Sequence, residues 1–175
     1  MAISSTGRPP VVRILEERAE TAWRRRRLAL ESEPGVEIEA ALYVPHASGR
    51  KPALLLVKGS SSAGLAEKAA ALGKVVLELQ PRDAPSAYDK RPLLGNWLTN
   101  SRADSIGRNL AALRAGDIVR GIDLLTARAD VAPDLIRAAG SEVKGVWILL
   151  AAAADPRIGG VWLDRTPHRL SAALD

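Results

Sequence analysis

The chain has 175 residues, room for one domain, and 47% of them are hydrophobic, which excludes a disordered polymer. It has no cysteine and only two histidines, His46 and His168, so disulfides and thiolate metal sites are excluded, a multi-histidine centre lacks ligands, and nothing calls for a metal or cofactor. The net charge of +5 comes mainly from arginine, but aromatic residues are only 3% of the chain, too few to stack on bases, so a nucleic-acid partner is not expected.

Residues 1–10 read as a leader with no apolar stretch of the secretory kind. No run approaches the roughly 18 apolar residues of a membrane span, so the chain reads as a cytoplasmic protein with no membrane partner. Val11 to Trp23 reads as a short amphipathic helix, with Val11, Ile14, Leu15 and Ala22 set among charges. Residues 1–23 then form a segment ahead of one α/β domain over 24–175. Arg24 to Arg27 leads into a strand, Leu28 to Ser32, and Val36 to Val44 is a second. The Glu33, Pro34, Gly35 turn between them makes an antiparallel hairpin. In the second strand Val36, Ile38, Ala40 and Leu42 alternate with Glu37, Glu39, Ala41 and Tyr43, giving one buried and one wetter face.

Pro52 to Val57 is continuously apolar, as strands buried on both faces are. A loop to Gly64, a helix over Leu65 to Leu72 and a strand over Val75 to Leu79 complete a right-handed β-α-β unit. Pro81 to Ser101 reads as a long irregular loop, and Arg102 to Arg128 as one long helix with its stripe at Ile106, Leu110, Leu113, Ile118, Ile122 and Leu125. Ala132, Pro133 and Asp134 break the pattern. A short strand over Leu135 to Ala139, a buried helix over Val143 to Ala154 and a strand over Ile158 to Leu163 follow, and Arg169 to Asp175 starts another helix. This order predicts a three-layer α/β/α sandwich with a mostly parallel sheet and an N-terminal antiparallel hairpin.

Gly59 to Gly64 has the glycine spacing of a phosphate-binding loop, but Leu65 and Ala66 stand where lysine and Ser/Thr belong. The competing role is an oxyanion-hole loop, with backbone N–H groups facing a developing negative charge. Over Ile136 to Val161 the chain runs strand, turn, buried helix, strand. That is the layout of a nucleophile elbow, G-x-S-x-G, with Gly140 at the first glycine position, Glu142 at the serine position and Lys144 at the second glycine position.

Several segments, in order, resemble the α/β-hydrolase superfamily, and within it the dienelactone hydrolase and acetyl-xylan-esterase-like group. They are the hairpin ending Ala41 to Pro45, the run Lys51 to Gly59 with Lys58 where such enzymes often have histidine, and Leu77 to Arg82 before Asp83, similar to a Pro-Arg-Gly turn. The helix segment Arg114 to Leu125 and the segment Leu149 to Ile158 after the elbow complete the resemblance, which covers residues 24–165. It implies a hydrolase core cut short after about six strands.

Carried over residue by residue, the resemblance puts Glu142 on the nucleophile position. A one-residue slip would restore Ser141, with Ala139 and Val143 then at the glycine positions. Valine and lysine there predict a relaxed turn, since the elbow's glycines answer strain and close packing. The oxyanion hole would use the N–H of Val143 and one near Gly59 or Ser60. Asp164 and His168 fall after the last strand as candidate acid and base, while Asp155 reads as a cap. Haloalkane-dehalogenase-like relatives use aspartate at the elbow, so a carboxylate nucleophile is a chemical option. The resemblance implies a carboxylic-ester hydrolase that is truncated or catalytically impaired, with a small-molecule ester as its substrate if active. The alternative is a non-catalytic hydrolase-fold domain that binds a partner or forms a homo-oligomer through the sheet edge left by missing strands.

Overall fold

The computed structural model describes residues 3, 7–59, 62, 64–82 and 97–167, and of Trp97 and Leu98 only the backbone. The candidates His168 and Ser60, and the helix expected over Arg169 to Asp175, lie outside the described residues. The strands are β1 (Val12–Ala19), β2 (Trp23–Glu33), β3 (Val36–Pro45), β4 (Lys51–Val57), β5 (Val75–Leu79), β6 (Val131–Ser141) and β7 (Val161–Asp164). The helices are α1 (Leu65–Ala71), α2 (Trp97–Ser105), α3 (Leu110–Thr126) and α4 (Val143–Ala154). All seven strands form one sheet in the order β1-β2-β3-β5-β4-β6-β7. β4, β5, β6 and β7 run parallel, while β3, β2 and β1 join by antiparallel pairing.

Strand periodicity sorts side chains onto two faces. Ile38, Ala40 and Leu42 of β3, Ala53, Leu55 and Val57 of β4, and Val75, Leu77 and Leu79 of β5 meet α3 and α4 in the main core. Ala41, Tyr43, Leu56, Val76 and Ala139 face the other way, onto α1. The result is a three-layer α/β/α sandwich, as the alternation predicts, with β4 buried on both faces. With no phenylalanine, closeness of approach substitutes for bulk. A Cβ on Gly121 of α3 would lie 2.7 Å from Leu55 Cδ1 and 3.2 Å from Leu77 Cδ2, so only glycine lets this helix settle on β4 and β5.

Several expectations are corrected. Val11 to Trp23 is not a helix: Val12–Ala19 is the edge strand β1, paired with β2. A bulge between Ile14 and Glu16 inserts one residue, so the apolar spacing imitates a helical repeat. Cross-strand charge settles the matter: Glu17 meets Arg24 at 3.2 Å and Arg26 at 2.8 Å, and Glu16 meets Arg27 at 3.5 Å. The arginine run is therefore inside β2, and pleating sends Arg24 and Arg26 to one face and Arg25 and Arg27 to the other.

The helix expected over Arg102 to Arg128 is two helices. Gly107 at φ +72° turns the chain, and Asn109 caps α3 by accepting from the N–H groups of Ala111 and Ala112. The first of the two, α2, begins inside the loop expected over Pro81 to Ser101, of which residues 83–96 lie outside the described residues. Pro133 does not keep the chain out of the sheet. β6 starts at Val131, and its ladder with β4 slips between Lys51 and Ala53, where the proline residue is passed over. The last strand begins at Val161 rather than at Ile158.

Two buried ion clusters pin the helices. Asp117 of α3 is fully buried and receives Arg82 through its side chain at 2.6 Å and its backbone N–H at 2.9 Å, with Ser32 bonded to the same carboxylate. Burial opposes the charge on Glu33, but Arg108 and Arg82 outweigh it and hold that carboxyl below its ordinary value. At the other end of α3, Asp123 binds Arg120 at 2.5 Å and Arg157 at 2.7 Å, and Arg157 also grips Asp155 at 2.5 Å. Asp155 ends α4 and is a structural residue, as its place before Pro156 predicts.

Candidate functional site

β6 and β7 end side by side. Ala139, Gly140 and Ser141 pair with Trp162, Leu163 and Asp164, and the Glu142 N–H donates to the Asp164 carbonyl at 2.8 Å. The chain then reverses at Glu142 and enters α4 at Val143. Glu142 sits at φ 57°, ψ −141°, a conformation that side chains avoid and that strand-to-helix elbows impose. The expected relaxed turn is therefore corrected: the corner is strained, and a glutamate occupies it.

The packing explains why. α4 folds back so closely on β6 that a Cβ on Gly140 would lie 2.7 Å from Ile148 Cδ1 and 3.5 Å from Val57 Cβ. The second close approach falls on Gly145 rather than on the Lys144 position, because a Cβ on Gly145 would collide with the Thr166 side chain. Gly145 was the signal in the sequence that this turn is tight, one residue later than the motif expects. The Gly145 N–H donates to the Glu142 carbonyl at 3.0 Å and closes the turn.

Lys144, freed from that crowding, extends its ammonium over the loop after β4. Its Nζ lies 3.0 Å, and Ser141 Oγ 3.4 Å, from the point a Cβ on Gly59 would occupy. Gly59 is not a free oxyanion donor here, because its N–H donates to Ser62 Oγ at 3.0 Å. The Ser62 N–H in turn reaches the Gly59 carbonyl at 3.1 Å. The N–H of Val143, first residue of α4, lies outside the helix's own hydrogen-bond ladder and opens at the corner.

A cavity of about 230 Å³ lies at the C-terminal ends of the parallel strands, bounded by Leu56, Val57, Leu65, Ser141, Trp162 and Asp164 among others. Of the sequence candidates, the fold brings together Ser141, Glu142, Val143, Asp164 and the Gly59 loop. Ser141 is buried, and Glu142 is about half exposed. Arg165 was not anticipated. It adopts φ 48° and lies 3.5 Å from the Glu142 carboxylate and 3.2 Å from that of Asp164. His46 sits past the end of β3, beyond the start of β5 and so at the opposite end of the sheet, where its Nε2 is 2.9 Å from the Glu20 carbonyl. Among the described residues no histidine stands at the corner, and no three His, Asp or Glu side chains gather as a metal site.

Below Ser62, burial pushes the Glu78 carboxyl above its ordinary value, against the attraction of Lys58. Tyr43 beside it is pushed up to about 12, chiefly by burial and then by the Glu78 charge.

No family model matches the chain, and no curated protein matches it. Solved structures do. A candidate acetyl xylan esterase from Bacteroides fragilis superposes with a TM-score of 0.72 at 12% identity, over 89% of this chain and 48% of that one. Acetyl xylan esterase 1 from Thermoanaerobacterium gives 0.67 at 20% identity, over 87% and 51%. A glucuronoyl esterase from Solibacter usitatus gives 0.61 at 16% identity, over 91% and 53%. At these identities the likeness is one of fold, and the chain spans about half the length of each of these proteins. No helix among the described residues is long and apolar enough to cross a membrane.

Proposed function

We propose that this chain is an esterase-type α/β scaffold whose corner has lost acyl-transfer chemistry and kept the ligand cavity. The observation that carries this reading is Glu142 in the strained corner conformation, at φ 57°, ψ −141°. Ester cleavage by this architecture needs a hydroxyl or other nucleophile at the corner and a base to activate it. A glutamate carboxylate attacking an ester would form a mixed anhydride. Its release needs a water molecule and a base to activate that water. The Glu142 carboxylate has instead a guanidinium, Arg165, as its neighbour. Ser141 is the last residue of β6, paired with Asp164, and its backbone is not at the apex of the turn. The superposed esterases support reading the cavity as a small-molecule site.

Hydrolysis of 4-nitrophenyl acetate by the purified chain tests this. The expected rate matches those of Glu142→Ala and Ser141→Ala variants. Turnover lost in either variant would overturn the reading and make that residue a nucleophile.

A second reading, a hydrolase-fold domain that associates through its edge, is favoured by β7. Among the described strands β7 is terminal in the sheet, and Val161 is 39% and Trp162 64% exposed. Such an edge offers unpaired backbone groups beside apolar surface. Light scattering across a concentration series checks it: a dimer lost in Trp162→Lys supports it, and a monomer at every concentration removes it.

A further inference from the structure

The end of the sheet opposite the corner carries a second hollow, of about 310 Å³, on the face that α3 covers. Its size is at the lower end of the roughly 300–1,000 Å³ range of small-molecule pockets. Arg24 and Arg26 of β2 line one side, and Arg128, between α3 and β6, lines another. Residues two apart on a strand share a face at a spacing of about 7 Å, so pleating aims both β2 arginines the same way. Val44 and Pro45, at the end of β3, add an apolar wall.

The fold uses these arginines only in part. Arg24 and Arg26 share one carboxylate, Glu17, and both meet it through Nε, at 3.2 and 2.8 Å. Their terminal nitrogens have no hydrogen-bond partner among the described residues. Arg128 gives one terminal nitrogen to Asp130, at 2.6 Å, and its Nε is buried with no partner among the described residues. Buried donors of this kind are nearly always satisfied, by protein, water or ligand.

Three guanidiniums thus meet two carboxylates, and a fourth cation adds to the excess. Lys51, whose backbone N–H donates to the Asp130 carbonyl at 2.9 Å, is 7% exposed. Its ammonium meets the Gly49 carbonyl at 2.8 Å and no carboxylate among the described residues. The carbonyl end of α3, two residues before Arg128, opposes an anion with about half an elementary charge, which is less than that excess.

We infer that this hollow binds the phosphate group of a small molecule. The two oxygens of a carboxylate lie in one plane and match a single guanidinium fork, whereas phosphate oxygens point in several directions and accept from forks on separate elements. A phosphate group fills only part of the hollow, which leaves the wall of Val44 and Pro45 to an organic body. The site lies apart from the corner, goes beyond the proposed function and does not depend on it.

Calorimetric titration of the native chain with ribose 5-phosphate, inorganic phosphate and ribose, at fixed ionic strength, tests this. Both phosphates are expected to bind, and ribose is not. Tighter binding of ribose 5-phosphate assigns a phosphate monoester as the ligand, and equal binding assigns free phosphate. Arg24→Gln and Arg128→Gln should each weaken binding by about 10-fold, the loss of one charge-assisted hydrogen bond. Arg13→Gln removes the same charge at the far end of β1, opposite Ala29, and should leave binding unchanged. The Arg24 side chain is 45% exposed, so its variant should melt like the native chain even if Arg128→Gln does not. No binding of either phosphate, equal losses in Arg13→Gln and Arg24→Gln, or full binding in both Arg24→Gln and Arg128→Gln would overturn the inference. So would a short DNA duplex that binds more tightly than either phosphate, which would make this a polyanion surface.

Discussion

Replacing Glu142 by glycine should make the protein more stable, although it removes a charged side chain that has a partner. The residue is held at φ 57°, ψ −141°, and a non-glycine residue in such a region costs about 1–3 kcal/mol. Two losses offset the relief. The ion pair with Arg165 is 3.5 Å long, between side chains 48% and 63% exposed, so it contributes about 0–1 kcal/mol. Glycine also loosens the unfolded chain by about 0.4–1 kcal/mol. The net gain expected is about 1 kcal/mol, which for a domain of this size raises Tm by roughly 2–4 °C. Glu142→Ala is the control. It removes the same ion pair but keeps a Cβ in the strained conformation, so it should be neutral or slightly destabilising. The difference between the glycine and alanine variants in urea unfolding isolates the backbone term. If glycine is no more stable than alanine, the corner is not strained, and the relaxed turn expected from Val143 and Lys144 is restored.

Four further outcomes follow from the same structure. Gly145→Ala forces a methyl group against Thr166 and should lower stability by about 1–3 kcal/mol. Pairing it with Thr166→Gly should recover much of that loss in the same melts. Asp117→Ala strips the buried partner from Arg82, whose side chain is 13% exposed, and should cost about 3 kcal/mol in denaturant unfolding even with Glu33 still in place. Glu78 has a folded pKa raised by burial above its ordinary 4.5, so its ionisation weakens the fold as pH rises through that raised value. Glu78→Gln should therefore stabilise the protein at pH 7, with the gain vanishing below about pH 4, as melts at the two pH values would read out. Glu33 carries the opposite sign. Its folded pKa is depressed by Arg108 and Arg82, so its contribution is present above 4.5 and disappears as pH falls through the lower folded value, and Glu33→Gln should cost stability at pH 7 but not in strong acid.

Much of the architecture was legible because burial repeats along the chain. The parity of β3 sorted its side chains onto two faces and the unbroken run of β4 marked a strand buried on both, but the β3 face expected to be wetter is wet only at Glu37 and Glu39: Ala41 and Tyr43 enter a second core under α1, while Ile38 and Leu42 enter the main one. What failed was local geometry that a period cannot encode. A single bulged residue near Leu15 gave an edge strand the spacing of a helix, and only the pairing of Glu16 and Glu17 with the arginines of β2 reveals it. Asn109 carried a cap signal inside what reads as one continuous stripe, and it splits α3 from α2.

The corner shows the same limit. Gly140 marked the elbow, and the order of segments marked the fold. The strain at Glu142, however, depends on how α4 lies against β6, and Ile148 and Thr166, whose side chains set that approach, are six and twenty-four residues further along the chain. Arg165 was a charge without an address in the sequence, and Lys144 had one only as the residue on the elbow's second glycine position. Only the turn of the chain after Asp164 brings Arg165 to both carboxylates, and only the displacement of the tight contact to Gly145 leaves Lys144 free over Gly59.

The central claim is that this corner holds a ligand without forming a covalent bond to it. Intact-mass spectrometry after incubation with an activated acetyl ester tests that most directly, because a nucleophile without a base for the second step would trap its acyl group. The account predicts no acetyl group on Ser141 or Glu142, and no difference between the native chain and a Ser141→Ala, Glu142→Ala double variant. An acetyl adduct mapped to either residue would contradict it and make the chain an acylating hydrolase.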